Sequence, residues 1–285
     1  MDSEANNIYI NRHSWNNRTD AHMKSEFYDL EGFLNGRTSL NNIELNLLGD
    51  LNGKSILHLQ CHFGQDSISL SRLGGKVTGI DLSDKAINKA KQIARDLKTN
   101  TNFICCDIYD LPNQLDEQFD IIFTSYGVIG WLPDLNKWAK IISRFLKPNG
   151  QFVFVEFHPF VWMFEDNFKK IKYNYFNSGA IIESEDGTYA DKSADINQEY
   201  VMWNHSLSEV INSLSEVINS LIQNELEINS LDEFDYSPYN IFDNSLKIDE
   251  KKYRIEHLGK KIPMVYSIIA TKTANVSAKL RFNAV

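Results

Sequence analysis

Between Lys54 and Phe157 the chain alternates short apolar runs with helical periodicity, a rhythm that few folds accept. SILHLQ precedes DSISLSRLG, KVTGIDL precedes DKAINKAKQIARDL, NFICCDI stands next, FDIIFTS precedes LNKWAKIISRFL, and QFVFVEF closes the series. Strands that read as nearly continuous apolar runs are buried on both faces, which calls for a parallel sheet covered by helices on each side. The expected fold class is therefore α/β, doubly wound. In such a sheet a ligand lies beyond the carboxyl ends of the strands, where strand order reverses. The positions to weigh are 60–66, 81–83, 107–108, 125–131 and 156–159.

Composition narrows the partners. A formal net charge of −9, with no Lys/Arg run longer than KK, disfavours nucleic acid. The longest apolar stretch, FVFVEFHPFVWMF, carries Glu156 and His158 and falls short of the roughly 20 residues of a membrane span. The start, MDSEANNIYINRHSW, lacks the basic-then-apolar order of a signal peptide, so a cytoplasmic protein, monomer or homodimer, is expected. Cys61, Cys105 and Cys106 make no CxxC pair, in keeping with a reducing compartment, and His58, Cys61 and His62 fit no familiar metal-ligand spacing, so no metal is expected.

Outside the alternating region the pattern changes. Residues 1–50 read as an N-terminal helical segment, with NIELNLLGDL as a helix ending near Gly49. Residues 51–285 read as the main domain, interrupted at 160–204 by an aromatic and polar insertion with strand-like pieces around a Gly-containing turn. A stretch of that length suggests a substrate-facing cap. The heptad SLSEVIN then occurs twice in tandem, at 206–212 and 213–219, which lengthens an amphipathic helix by about 10 Å without changing its buried side. LEINSLDEF and MVYSIIATK are the last strand candidates, and the tail NVSAKLRFNAV has no periodic pattern.

Asp81, after the second strand, follows Gly64 by the interval of a ribose-binding carboxylate in a βαβ unit. Alone it is ambiguous, since dinucleotide dehydrogenases share it and an acid after a strand can cap a helix. Ser83 is itself a good N-cap for DKAINKAK. Asp107, in CCDIYDLP, has a second use: it could hold an exocyclic adenine amine while Ile108 packs on the ring.

With these residues in place the chain resembles the class I S-adenosylmethionine-dependent methyltransferases. The likeness covers roughly residues 54–159 in ordered blocks: ILHLQCHFG, GIDLS, CCDIYDLP, FDIIFTSYGVIGWLPDL and LKPNGQFVFVEFHP. Within that family it is similar to a bacterial subgroup in which HLQCHFGQD replaces the glycine loop, a subgroup echoed in FYDLE and SPYN. The resemblance implies a Rossmann-like seven-stranded sheet in the order 3-2-1-4-5-7-6 with the last strand antiparallel, S-adenosylmethionine as cofactor, and S-adenosylhomocysteine as its product. The family's acid-x-Gly-x-Gly-x-Gly pattern falls on His58, Gln60, His62 and Gly64. Gln60 and His62, having side chains, are expected at negative φ, with a less tightly curled loop.

Gln60 and His62, with Cys61 between them, are expected either to bind the amino-acid end of the cofactor or only to shape the loop around it, while Gly64 keeps the close backbone approach. The resemblance places Asp81, Leu82 and Ser83 at the ribose, Asp107 and Ile108 at the adenine, and Ser125 and Tyr126 at the fourth strand's end. Asp66 and Ser67 are expected to cap the helix that follows the loop. Transfer to a small-molecule acceptor needs in-line alignment and exclusion of water, with His158, His62 and Tyr126 as candidate bases and Glu156 as a group that orients a donor. Trp15, His22 and Tyr28 are expected to form a lid, with Trp131 and Tyr239 on the acceptor side. A nicotinamide-dependent oxidoreductase lacks its GxGxxG here, and a non-catalytic cofactor-binding protein is the remaining alternative.

Overall fold

The computed structural model describes residues 3–211 and 226–273. Three helices, α1 (Ser3–Lys24), α2 (Leu30–Leu34) and α3 (Asn42–Leu48), precede the first strand, and Gly49 ends α3 as its spacing predicts. The alternating region follows: β1 (Ser55–His58), α4 (Gln65–Arg72), β2 (Lys76–Asp81), α5 (Asp84–Asp96), β3 (Thr101–Cys105), α6 (Leu111–Gln114), β4 (Phe119–Ser125), α7 (Leu135–Phe145) and β5 (Leu146–Phe157). Beyond it lie β6 (Ile181–Asp186), β7 (Asn197–Met202), β8 (Leu226–Phe234), β9 (Ser245–Asp249), β10 (Lys252–Ile255) and β11 (Val265–Lys272).

Seven strands make one sheet in the order β3-β2-β1-β4-β5-β11-β8. β1 to β5 pair in parallel, while β11 runs antiparallel to both β5 and β8. Counted along the chain, the strands of this sheet follow the order 3-2-1-4-5-7-6 expected from the resemblance. Successive strand residues enter opposite cores. Leu57, Ile122, Phe152 and Phe154 pack with α7 residues, whereas Ile56, Ile121, Phe123 and Val153 pack with Leu40, Leu48 and Leu70. Double-sided burial is why the central strands β1, β4 and β5 read as nearly continuous apolar runs.

α7 shows the complementary logic. Leu135, Trp138, Ala139, Ile142 and Phe145 recur at helical spacing and are all buried, and Trp138 meets Phe152 and Phe154 edge-on at 5.7 and 5.5 Å. α5 instead buries small residues, Ala86, Ala90 and Ala94, with Ile87 and Ile93, which lets the helix approach Phe103 of β3 closely.

The 160–204 insertion contains the β6–β7 hairpin around the Gly187 turn. α1 packs against β7, where the Asn11 amide donates to the Val201 carbonyl (2.9 Å) and accepts from the Val201 N–H (2.8 Å). Of the SLSEVIN repeat, 207–211 is helical; the rest of the repeat and the tail from 274 lie outside the described residues. No described helix is long and apolar enough to cross a membrane.

Candidate active site

The ends of β1 to β5, α1 and the β6–β7 hairpin enclose a cavity of about 1340 Å³. Its floor is the turn after β1. Gln60, His62 and Gly64 have φ of +54°, +51° and +80°, so the loop keeps the alternating left-handed curl that glycines favour, on two residues with side chains. The negative φ expected of Gln60 and His62 is thus corrected. Left-handed backbone costs an ordinary residue about 1–2 kcal/mol, and tertiary anchors offset it here. The His62 N–H donates to Asp81 Oδ2 (2.7 Å), the Cys61 N–H to the Ile80 carbonyl (2.8 Å), and the Gln60 amide to the Val128 carbonyl (3.2 Å).

Gly64 is required by what packs against it. A Cβ there would lie 2.6 Å from the Phe103 ring and 3.0 Å from Ala90 Cβ, so the glycine admits close packing of β3 and α5 against the loop. It is also the N-cap position of α4. Asp66 therefore sits in the first turn and reaches Ser125 Oγ (3.3 Å), while Ser67 Oγ lies 2.7 Å from His58 Nδ1; neither caps the helix as expected.

Asp81 ends β2 with each carboxylate oxygen on a backbone N–H, Oδ2 on His62 and Oδ1 on Ser83 (2.8 Å). Burial pushes its pKa up to about 6 against the pull of these hydrogen bonds. Leu82 lines the cavity; Ser83 does not. The Ser83 hydroxyl accepts from the Ala86 N–H (3.0 Å) and donates to Asn16 Oδ1 of α1 (2.6 Å), so it caps α5 and ties down the N-terminal helix. Asp107 and Ile108 line the cavity after β3, and Asp107 accepts from the Tyr109 N–H (3.0 Å).

Ser125 and Tyr126 line the cavity beyond β4, where Tyr126 adopts φ +40° and its N–H donates to the Val155 carbonyl (2.7 Å). Glu156 lines the cavity, but its carboxylate is taken up by backbone N–H groups rather than left to orient a donor. Its carboxylate accepts from the N–H groups of Gly127, Val128 (2.7 Å), Ile129 (3.3 Å) and Phe157 (2.7 Å), capping the turn after β4. His158, expected at the mouth, does not line the cavity. Its Nδ1 accepts from the Phe160 N–H (3.1 Å), its Nε2 lies 2.9 Å from Glu233, and burial lowers its pKa.

The N-terminal segment supplies the opposite wall. Trp15 and Tyr28 line the cavity, and His22 reaches its edge through His22 Nδ1···His62 Nε2 at 2.9 Å. Burial holds both imidazoles neutral, His62 down at about 3 and His22 well below its ordinary value. The Tyr28 and Tyr189 hydroxyls meet at 2.5 Å, which joins this segment to the cap insertion. Trp131 and Tyr239 also line the cavity, with the Tyr239 hydroxyl accepting from Asn41 Nδ2 (2.8 Å). Among the described residues no three His, Cys, Asp or Glu side chains are grouped to hold a metal.

Sequence reasoning passed over Arg18, Asn16 and Tyr189. Trp15, Arg18 and His22 are spaced at i, i+3 and i+7, so helical periodicity alone would have placed them on one face. Tyr189 lies in an irregular loop and gives no such signal.

A 3-2-1-4-5 parallel sheet with acids after β2 and β3 beside one cavity defines a doubly wound protein built to take a nucleoside-bearing cofactor. The chain belongs to the methyltransferase-domain family, which matches residues 50–227. It is 35% identical over 104 residues to a ubiquinone biosynthesis O-methyltransferase from Coxiella burnetii, across 36% of this chain and 44% of that protein. It is 34% identical over 127 residues to a demethylmenaquinone methyltransferase from Lactococcus lactis, across 43% and 50%. The chain thus spans about half the length of the curated relatives it matches. A putative S-adenosylmethionine-dependent methyltransferase from Listeria monocytogenes shares the fold at TM-score 0.53 and 21% identity, over 80% of this chain and 95% of that one. A geranyl diphosphate C-methyltransferase from Streptomyces coelicolor does so at TM-score 0.52 and 16% identity, over 81% and 77%.

Proposed function

We propose that this protein transfers a methyl group from S-adenosylmethionine to a small-molecule acceptor by in-line displacement. The observation that carries the reading is the convergence of Asp81, Asp107 and the β1 loop on one cavity. The loop also fits the group it would hold: Gln60 Oε1 and His62 Nδ1 are buried polar atoms with no hydrogen-bond partner. In this reading Gln60 and His62 take the amino-acid end, Asp81 the ribose hydroxyls, and Asp107 with Ile108 the adenine, while Leu82 flanks the nucleoside.

When bound, the cofactor supplies a methyl group already activated on a sulfonium. What remains for the chain is orientation and exclusion of water, effects that reach about 7–11 kcal/mol at best. Residues 1–50 act as lid and 160–204 as cap, fastened by Asn11–Val201, Arg18–Glu185 and Tyr28–Tyr189. Burial drives Tyr126 well above its ordinary pKa and His62 well below, so neither is a ready base and alignment dominates. The small-molecule acceptor is in keeping with relatives named for ubiquinone biosynthesis and demethylmenaquinone.

The test is a thermal-shift and calorimetric comparison of S-adenosylhomocysteine with NAD, followed by transfer of labelled methyl to candidate acceptors. Stabilisation by the first alone is expected, with affinity weakening below about pH 6 as Asp81 protonates. Stabilisation by NAD, or failure of S-adenosylhomocysteine to bind, would overturn the assignment.

A further inference from the structure

The single contact to Glu185 that helps fasten lid to cap leaves most of the Arg18 guanidinium unexplained. Its side chain is only 3% exposed, yet it lines the cavity, and its guanidinium carbon sits 5.3, 5.2 and 5.0 Å from the ring centroids of Trp15, Trp131 and Tyr200. Those three rings line the same cavity and come from the N-terminal helix, the turn after β4 and the cap hairpin. Lys172 and Lys192, also on the cavity wall, are 51% and 66% exposed and paired with Glu183 and Asp243.

A guanidinium offers five N–H donors in a planar fork that fits a carboxylate bidentately. Arg18 spends one edge on Glu185, Nη2 to Oε2 at 2.8 Å, and its Nε is buried without any partner. An orphaned buried N–H is costly unless an acceptor reaches it. Glu185 is a carboxylate on the edge of a hairpin, 31% exposed, and it too lines the cavity.

We propose that Arg18 is the acceptor-recognition residue, and that it takes the carboxylate of an aromatic methyl acceptor, with Glu185 holding that place while the site is empty of acceptor. The aromatic part follows from the Trp15, Trp131 and Tyr200 walls, whose faces and edges suit a flat ring beside the guanidinium. The acceptor class rests on the methyltransferase reading; the preference for an aromatic carboxylate does not depend on it.

The experiment uses 3,4-dihydroxybenzoate and catechol as probes, which differ only in the carboxylate, titrated calorimetrically into the full chain with and without S-adenosylhomocysteine. The benzoate binds at least about ten-fold more tightly than catechol, a gap a single charge-assisted pair can supply. Arg18→Gln closes that gap, and Glu185→Gln raises affinity for the benzoate by removing the competing carboxylate. A lid-to-cap clamp with no role in recognition gives the opposite pattern, with Arg18→Gln and Glu185→Gln weakening both probes alike. That result, equal binding of the two probes by the wild type, or no binding of either, overturns the proposal. Failure of S-adenosylhomocysteine to bind the wild type sinks the methyltransferase reading instead, and the carboxylate preference is then read on the free protein.

Discussion

Replacing Gly64 by alanine separates two roles that a glycine in a cofactor loop can play. The left-handed φ of +80° costs alanine about 1–2 kcal/mol. The added Cβ lies 2.6 Å from Phe103 Cε1 and Cζ, an overpacking that costs a further 1–3 kcal/mol or so. Reduced freedom of the unfolded chain returns roughly 0.4–1 kcal/mol. The net expectation is a loss of about 2–4 kcal/mol for Gly64→Ala, read from urea unfolding midpoints. Phe103→Leu deletes the two clashing ring atoms, so the double variant should be less destabilised than the sum of the singles by about 1–3 kcal/mol, the clash being relieved and the φ cost remaining. S-adenosylhomocysteine affinity of the folded Gly64→Ala protein should change little, because the new methyl faces Phe103 and Ala90. Additive single and double variants, or a Gly64→Ala cost below about 0.5 kcal/mol, would refute the packing argument.

Two further outcomes follow from buried titratable groups. Burial raises the Glu44 pKa from 4.5 to about 7, so its contribution to stability is fully present below pH 4.5 and is lost as pH rises through 7. The change is on the order of 3 kcal/mol, and Glu44→Gln should flatten that part of the stability-against-pH curve; an unaltered slope counts against it. His22→Ala leaves His62 Nε2 buried without its partner, at a local cost of about 1–3 kcal/mol. Faster amide exchange across residues 3–24, with the β1–β5 sheet unchanged, is the expected readout, and unchanged exchange in α1 would show that the imidazole pair does not hold the helix down.

The sheet was legible because its physics is local: its central strands are buried on two faces and must be largely apolar, as Ile56 and Leu57 or Phe152 and Val153 show. The place of Asp81 on the cavity was legible from its interval after Gly64, and that of Asp107 from its position at a strand end before Ile108. The loop was not, because a sequence rule assigns positive φ to glycine, whereas Asp81 imposes it on His62 through one hydrogen bond from another strand. Glu156 misled for a related reason. A carboxylate at a strand end suggests chemistry, but three backbone N–H groups of the turn after β4 converge on it, and that convergence exists only once β4 and β5 lie side by side. His158 failed in the same way, its two ring nitrogens being occupied by Phe160 and Glu233.

These misses share a direction, toward polar groups that build the site rather than act in it. Asp81 joins the two sets, since the carboxylate proposed to meet a ribose also anchors the β1 loop at His62. Loop shape and ribose recognition are therefore coupled through one side chain. A cofactor hydroxyl competing for Asp81 Oδ2 would loosen the His62 N–H, and with it the His22 contact that seats the N-terminal helix. In a glycine loop the backbone holds its curl unaided; here the curl at His62 is held by the side chain proposed to bind the ribose, and in that reading cofactor occupancy and seating of α1 are linked through two hydrogen bonds.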